Sequence, residues 1–181
     1  FTTVSTSDSW SPQRVTNSGA VLTWTAAPNG VFAGQVVNAN DPVFDFSSND
    51  GTPIDVAVTS PDGFGGLTRL DLWNNDGLGS QITNLDASNA IFLKELNTRY
   101  NQLTALDVSQ NTALTSLTVR GNQQLAALDI SSNTQLTFIH ADATLISAID
   151  ISNNTQLTNV RLYNMELPTA VMDQIVIALD N

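Results

Sequence analysis

The sequence predicts a mainly β fold with little helix, wound as a solenoid, and three observations carry that expectation. A Leu-Asp-apolar-Ser phrase recurs at Leu106-Asp107-Val108-Ser109, Leu128-Asp129-Ile130-Ser131 and Ile149-Asp150-Ile151-Ser152, with a weaker copy at Leu85-Asp86-Ala87-Ser88. Its aspartates are 21, 22 and 21 residues apart, a period that marks stacked coils. Between these phrases runs Leu-x-x-Leu-x-Leu, whose last two leucines share one face of a short strand while the first enters from the turn before it. One copy cannot bury three leucines, but stacked copies can. The composition agrees. Of the 17 acids, all but Glu95 and Glu166 are Asp, and Lys94 is the only lysine. Asp, Asn, Thr and Ser favour turns and strands, where a helical chain would use Glu, Lys and Ala.

Residues 1–66 carry no repeat and read as a β-rich N-terminal cap or a small β domain. Short apolar runs at Val21–Trp24, Val31-Phe32, Gln35–Val37, Val43–Phe46 and Ile54–Val58 are separated by turn signals such as Pro28-Asn29-Gly30 and Asn49-Asp50-Gly51. Val43–Ser47 and Ile54–Thr59 read as a hairpin. A segment of this kind can cover the first coil of a solenoid, which would otherwise expose apolar surface and an unpaired edge.

Residues 67–166 are the repeats, built from two alternating half-units of 11 residues. One is Leu-x-x-Leu-Asp-Val-Ser-x-Asn-Thr-x, as at Leu103–Ala113 and Leu125–Gln135. The other is Leu-x-x-Leu-x-Val-x-x-Asn-x-x, clearest at Leu114–Gln124, with copies from Leu67, Leu93, Leu136 and Leu157. Extra residues near Gly77–Gln81 stretch the first step. The asparagine ends the strand, and its amide suits a ladder of bonds to backbone groups of the next coil. Ala143-Thr144 and Met165 depart from that position. Residues 167–181 change period. Pro168 suits a helix start, and Val171, Ile175 and Leu179 share a helical face, so this segment reads as one capping helix. A chain that stops at Asp180-Asn181, just past such a helix, reads as a piece of a longer one.

Leu114-Thr115-Ser116-Leu117-Thr118-Val119-Arg120-Gly121-Asn122, followed by Leu125-Ala126-Ala127-Leu128-Asp129-Ile130, resembles the leucine-rich repeat proteins, in particular their short nested bacterial type. The resemblance covers about 100 residues. It implies a leucine-rich-repeat-like solenoid and a binding surface, without naming a ligand.

The net charge is −11, which argues against a nucleic-acid partner, whose affinity rests on clustered cations. There is no cysteine, which excludes disulfides, zinc–thiolate sites and thiol nucleophiles. No apolar run is long enough to span a membrane, and no signal peptide is visible at Phe1. A Thr/Asn/Ser-rich, acidic, lysine-poor chain suggests an extracellular, cell-surface or virion-surface setting.

Numbering each Leu-x-x-Leu-x-Leu-x-x-Asn copy from its first leucine sorts the remaining residues into columns that leave the core. Position three holds Arg69, Glu95, Ser116, Phe138 and Asn159. Position five holds Asp71, Asn97, Thr118, His140 and Arg161. Position seven holds Trp73, Arg99, Arg120, Asp142 and Tyr163, and Tyr100 stands at position eight. With strands ~4.8 Å apart, the patch is about 20 Å wide. It collects four of the five arginines of an acidic protein, the aromatics Trp73, Tyr100, Phe138 and Tyr163, and its only histidine. Arginine and aromatic residues are enriched in interface hot spots, although arginines can also merely soften an acidic surface. The candidate binding face is therefore Arg69, Asp71, Trp73, Glu95, Asn97, Arg99, Tyr100, Thr118, Arg120, Phe138, His140, Asp142, Arg161 and Tyr163.

The aspartate column reads as turns in which each carboxylate accepts backbone N–H bonds, with no metal, because calcium needs more convergent oxygens than one Asp per coil supplies. No complete catalytic constellation appears: His140 with Asp142 has no evident nucleophile, and glycosidase-type chemistry would need two acids around a cleft, for which Glu95 with Asp71 is the only face pair. The sequence thus reads as a non-catalytic module without cofactors that binds a protein or glycan through the strand face. The alternative is a structural subunit of a virion, fibre or filament that uses the same surfaces to contact copies of itself.

Overall fold

Short strands separated by turns run along the chain, as its Asp, Asn and Thr content favours. In the computed structural model, residues 67–72, 82–163, 165, 167–170, 172 and 173 are described in full, and before residue 67 only the backbone of seven strands is described. Those seven are β1 (Thr2–Thr3), β2 (Ser9–Trp10), β3 (Arg14–Asn17), β4 (Thr23–Ala27), β5 (Gln35–Asn38), β6 (Phe44–Asp45) and β7 (Ile54–Thr59). The repeat strands are β8 (Leu67–Asp71), β10 (Glu95–Asn97), β11 (Ser116–Thr118), β12 (Phe138–His140) and β13 (Asn159–Arg161), with β9 (Ile82–Asn84) in the long first coil.

The fold is mainly β with almost no helix, a parallel β-solenoid. Strands β8, β10, β11, β12 and β13 pair side by side in parallel. Parallel neighbours need a crossover between them, and here each crossover is the rest of a coil. The register follows the repeat: Arg69, Glu95, Ser116, Phe138 and Asn159 are aligned, as are Asp71, Asn97, Thr118, His140 and Arg161. The opposite side of the coils is bound by turns, with one parallel bridge among the described residues, between Asp86 and Asp107.

The core is one continuous column of Leu, Ile, Val and Ala. Leu93, Leu96, Leu114, Leu117, Val119, Leu136, Ile139 and Ala141 enter it from the strand half-units, and Leu103, Val108, Leu125, Ile130 and Ile146 from the aspartate half-units. Met165 and Leu167 pack against its last coil beside Val160. Burying each of the Leu, Ile and Val side chains contributes roughly 1.5–3 kcal/mol, so the coils hold together chiefly by this shared column.

Asparagines close both turns. The Nδ2 of Asn101 donates to the Thr98 carbonyl of its own coil and the Leu72 carbonyl of the coil before. Asn122 repeats this toward Val119 and Thr98 at 2.7 and 3.0 Å. Their Oδ1 atoms accept the N–H groups of Ile82 and Leu103. In the other turn Asn111, Asn133 and Asn154 reach back to backbone carbonyls, Asn154 to Ile130 and Asn133. Thr144, where the motif departs from asparagine, bonds only the Ala141 carbonyl of its own coil.

On the N-terminal side β3 lies antiparallel to β8 and extends the solenoid sheet by one strand. Strand β1 pairs with β7 and β9, and β4 joins β5 to β7. The hairpin expected from Val43–Ser47 and Ile54–Thr59 does not form. Both neighbours of β7 are already taken, by β4 over five residue pairs and by β1, while β6 pairs with β2. Val31-Phe32, expected as a strand, lies outside the described residues. Of the expected capping helix, residues 169, 170, 172 and 173 are helical, and the Met172 N–H donates to the Pro168 carbonyl. Its remainder also lies outside the described residues. Among the described residues no helix is long and apolar enough to cross a membrane.

Candidate functional site

Alternation along each short strand sends positions four and six into the core and leaves positions three and five on the outer surface of the sheet. The described members of the candidate face lie together there, held in register by the parallel pairing. Trp73 lies outside the described residues.

The face divides into three regions. At the β8 end, Arg69 donates to the Glu95 carboxylate on the neighbouring strand and lies 3.6 Å from Asp71. Asp71 is only 8% exposed, so it backs Arg69 and is not itself open. Beside this ion pair a shallow hollow runs over β8, β10 and β11, lined by Arg69, Glu95, Asn97, Ser116 and Thr118. Asn97 Oδ1 accepts the Arg99 N–H, an Asx-type turn that ends β10.

In the middle, the exits of the strands turn through a left-handed residue at position eight. Tyr100, Gly121 and Ala143 have φ values of 58°, 75° and 53°. Their N–H groups donate to the position-seven carbonyls of the next coil: Tyr100 to Arg120, Gly121 to Asp142, Ala143 to Tyr163. Only a glycine fits comfortably at 121, because a Cβ there would meet Tyr100 Cδ1 at 2.7 Å. The Tyr100 ring thus lies across Gly121, and the Arg120 guanidinium sits 5.4 Å from the centroid of the same ring. Tyr100 remains 43% exposed.

At the β13 end, Arg161 repeats the arrangement over Phe138, again at 5.4 Å. Phe138 in turn meets His140 edge-on, with ring centroids 6.2 Å apart. His140 and Asp142 share a 2.6 Å hydrogen bond between Nε2 and Oδ2. The second oxygen of Asp142 accepts the Tyr163 N–H at 2.8 Å. Both residues are buried, at 7% and 8% exposure. The column assignment places them on the face; the structure sinks them into it, beneath Phe138 and the turn at Tyr163. They brace the surface and are not offered to a ligand. Tyr163 itself is 67% exposed at the exit of the last strand.

Ser116 was visible as a member of the position-three column, and its place in the hollow was not. The exposed pair Ile91-Phe92 and the exposed Leu145 lie outside the face. Only their break from the Thr and Gln of the equivalent turns could have marked Ile91 and Phe92.

The aspartate half-unit is a set of local turns. Each carboxylate accepts the N–H of the serine two residues on, from Asp86–Ser88 through Asp150–Ser152, at 2.8–2.9 Å. All four carboxyls are held below their ordinary pKa. For Asp86 the Ser88 hydroxyl is the larger cause and its N–H the second; for Asp107, Asp129 and Asp150 the serine N–H comes first and the hydroxyl second. The repulsion of neighbouring aspartates opposes this only weakly. Among the described residues no three His, Cys, Asp or Glu side chains converge as a metal site would require.

No family model matches the chain, and no curated protein is similar to it at a significant level. Among solved structures, a functional domain of InlJ from Listeria monocytogenes that includes a cysteine ladder is similar at 32% identity over 48% of this chain and 19% of its own, with a TM-score of 0.48. An internalin, InlF, from strain 4b F2365 of the same species is similar at 22% identity over 52% of this chain and 35% of its own, with a TM-score of 0.36. The chain therefore spans about a fifth and about a third of these two structures. The parallel register, the leucine column and the asparagine ladders together give the described residues between 67 and 163 the parallel β-solenoid architecture of leucine-rich repeats.

Proposed function

We propose that the chain is a non-catalytic recognition module that binds a protein or glycan partner through the strand face of its solenoid, outside the cell or on a surface. The observation that carries this reading is the Tyr100–Arg120 and Phe138–Arg161 stacking on a single face, flanked by exposed Tyr100 and Tyr163. Rigid aromatics beside arginine are the composition of binding hot spots, and sheet faces of solenoids are their usual binding surfaces. The one His–Asp pair on the face is buried and bonded to itself and to the Tyr163 N–H, which favours binding over turnover.

The test is a panel of purified extracellular proteins and glycans screened against the wild-type chain and against a Tyr100→Ala/Tyr163→Ala variant. A ligand should be found whose affinity falls at least tenfold in that variant and is unchanged by Asp107→Asn/Asp129→Asn in the other half-unit. Ligands indifferent to the tyrosines would sink the reading. A second reading, a subunit that assembles with copies of itself, is favoured by the edge position of β13, the terminal strand of the sheet among the described residues. Concentration-dependent assembly in sedimentation, abolished by a proline at Val160, would support it in place of the first.

A further inference from the structure

We infer that the strand face recognises a polypeptide segment bearing two sparse carboxylates, one held by Arg120 and one by Arg161; this rests on the strand-face reading above and specifies its partner. The face cations are not equivalent. Arg69 is occupied by Glu95 and Asp71. Arg120 and Arg161 have no acidic partner among the described residues, and each lies instead over an aromatic ring. A ring under the guanidinium fixes its plane but leaves the N–H edges as donors. That is the posture of a fork waiting for a carboxylate, and it costs less ordering on binding than a free side chain.

The spacing specifies the ligand further. Arg161 lies level with Thr118 in the register, two strands away, and Arg120 is two residues beyond Thr118. Two strand spacings and two residues beyond the level of Thr118 put the Cα atoms of the two arginines on the order of 12 Å apart. An extended peptide covers that distance in about four residues. The ground between them exposes little charge: His140 and Asp142 are hydrogen-bonded to each other below the surface, and Phe138 on β12 offers an apolar ring. A partner with acids at i and i+4, and apolar or aromatic side chains between, matches both charge and surface. A densely sulfated or uronic polysaccharide does not. It would gain two cations while facing the exposed Glu95 and a net charge of −11, and dense polyanions need clustered cations.

The experiment is a selection of random displayed 12-residue peptides on the wild-type chain, with counter-screening on Arg120→Gln, Arg161→Gln, the double variant and Tyr100→Ala/Tyr163→Ala. Circular dichroism confirms that each variant keeps its fold. Selected peptides are expected to be enriched in Asp or Glu four residues apart. They should lose about tenfold in affinity with either single arginine variant, and they should weaken when their acids become amides. Peptides that need the tyrosines but neither arginine would overturn the inference and leave the strand-face reading intact. Peptides that ignore all four residues, or no binders at all, would count against both. Retention of heparin at 150 mM salt that is lost in the double arginine variant, with no acid enrichment in the peptides, would overturn the polypeptide assignment.

Discussion

Replacing Asn122 by alanine should cost about 3 kcal/mol, because this side chain closes three backbone groups at once. Asn122 is fully buried. Its Nδ2 donates to the carbonyls of Val119 and Thr98, and its Oδ1 accepts the Leu103 N–H at 3.1 Å. Each bond contributes roughly 0.5–1.5 kcal/mol net, and a buried backbone group left without a partner costs about 1–3 kcal/mol. The Thr98 carbonyl keeps a second donor in Asn101, so the loss there is partial. The Val119 carbonyl keeps a long bond from the backbone N–H of Asn122 at 3.4 Å, so the Leu103 N–H bears most of the penalty, and the three terms sum to about 3 kcal/mol. The assay is urea unfolding followed by far-ultraviolet circular dichroism, read as a shift in midpoint at constant slope. Asn153→Ala, at an exposed turn position of the same residue type, is the control and should shift stability by less than about 0.5 kcal/mol. If Asn122→Ala and Asn153→Ala unfold at the same urea concentration, the ladder adds nothing to the union of the coils.

Gly121→Ala should destabilise by about 1–2 kcal/mol, through a left-handed φ and a Cβ pressed on the Tyr100 ring. A second change, Tyr100→Ala, should recover part of that loss in the same unfolding assay. His140→Ala leaves Asp142 buried with only the Tyr163 N–H as donor and should cost about 3 kcal/mol, with Asp142→Ala restoring part of it in a double-mutant cycle. The aspartate turns set an acid limit. Their folded pKa values lie below the ordinary 3.8, so their stabilisation is fully present above about pH 4 and is lost as pH falls through the folded values. An Asp107→Asn/Asp129→Asn/Asp150→Asn variant should unfold less steeply with acid, and an unchanged acid midpoint would refute this origin.

The repeat register was fully legible because one face of every strand is buried, and a slip of one residue would have turned the leucines outward. The asparagine ladder was legible for the same reason, since Asn101, Asn122, Asn133 and Asn154 recur at a fixed place in the unit. The pairing of β6 and β7 was not, because apolar runs and turn residues specify strands but not which edge is still free once β4 and β1 have docked. At the face, the columns placed Arg69, Glu95, Phe138 and Arg161 correctly on the strands. They did not reveal that His140 and Asp142 sink. Alternation says which side of a strand a residue leaves from, and burial on that side depends on what Phe138 and the Tyr163 turn lay over it. The contrast between Arg69, quenched by Glu95, and Arg120, stacked on Tyr100, is likewise a matter of neighbours one coil apart in space and 20 or more residues apart in sequence.

The asparagine ladder also gives the array a direction. Every ladder amide reaches toward the coil before it, so each coil is completed by its successor. A gene encoding such a chain can therefore be lengthened or shortened only in whole units. Excision of 22 residues from Leu103 to Gln124 would hand the carbonyls of one coil to an equivalent amide in the next, whereas a cut that is not a whole unit would strand acceptors inside the wall. Thr144, which reaches no farther than its own coil, is the point where that grammar stops on the strand side, and new coils inserted beyond it would have to restore an asparagine before they could join.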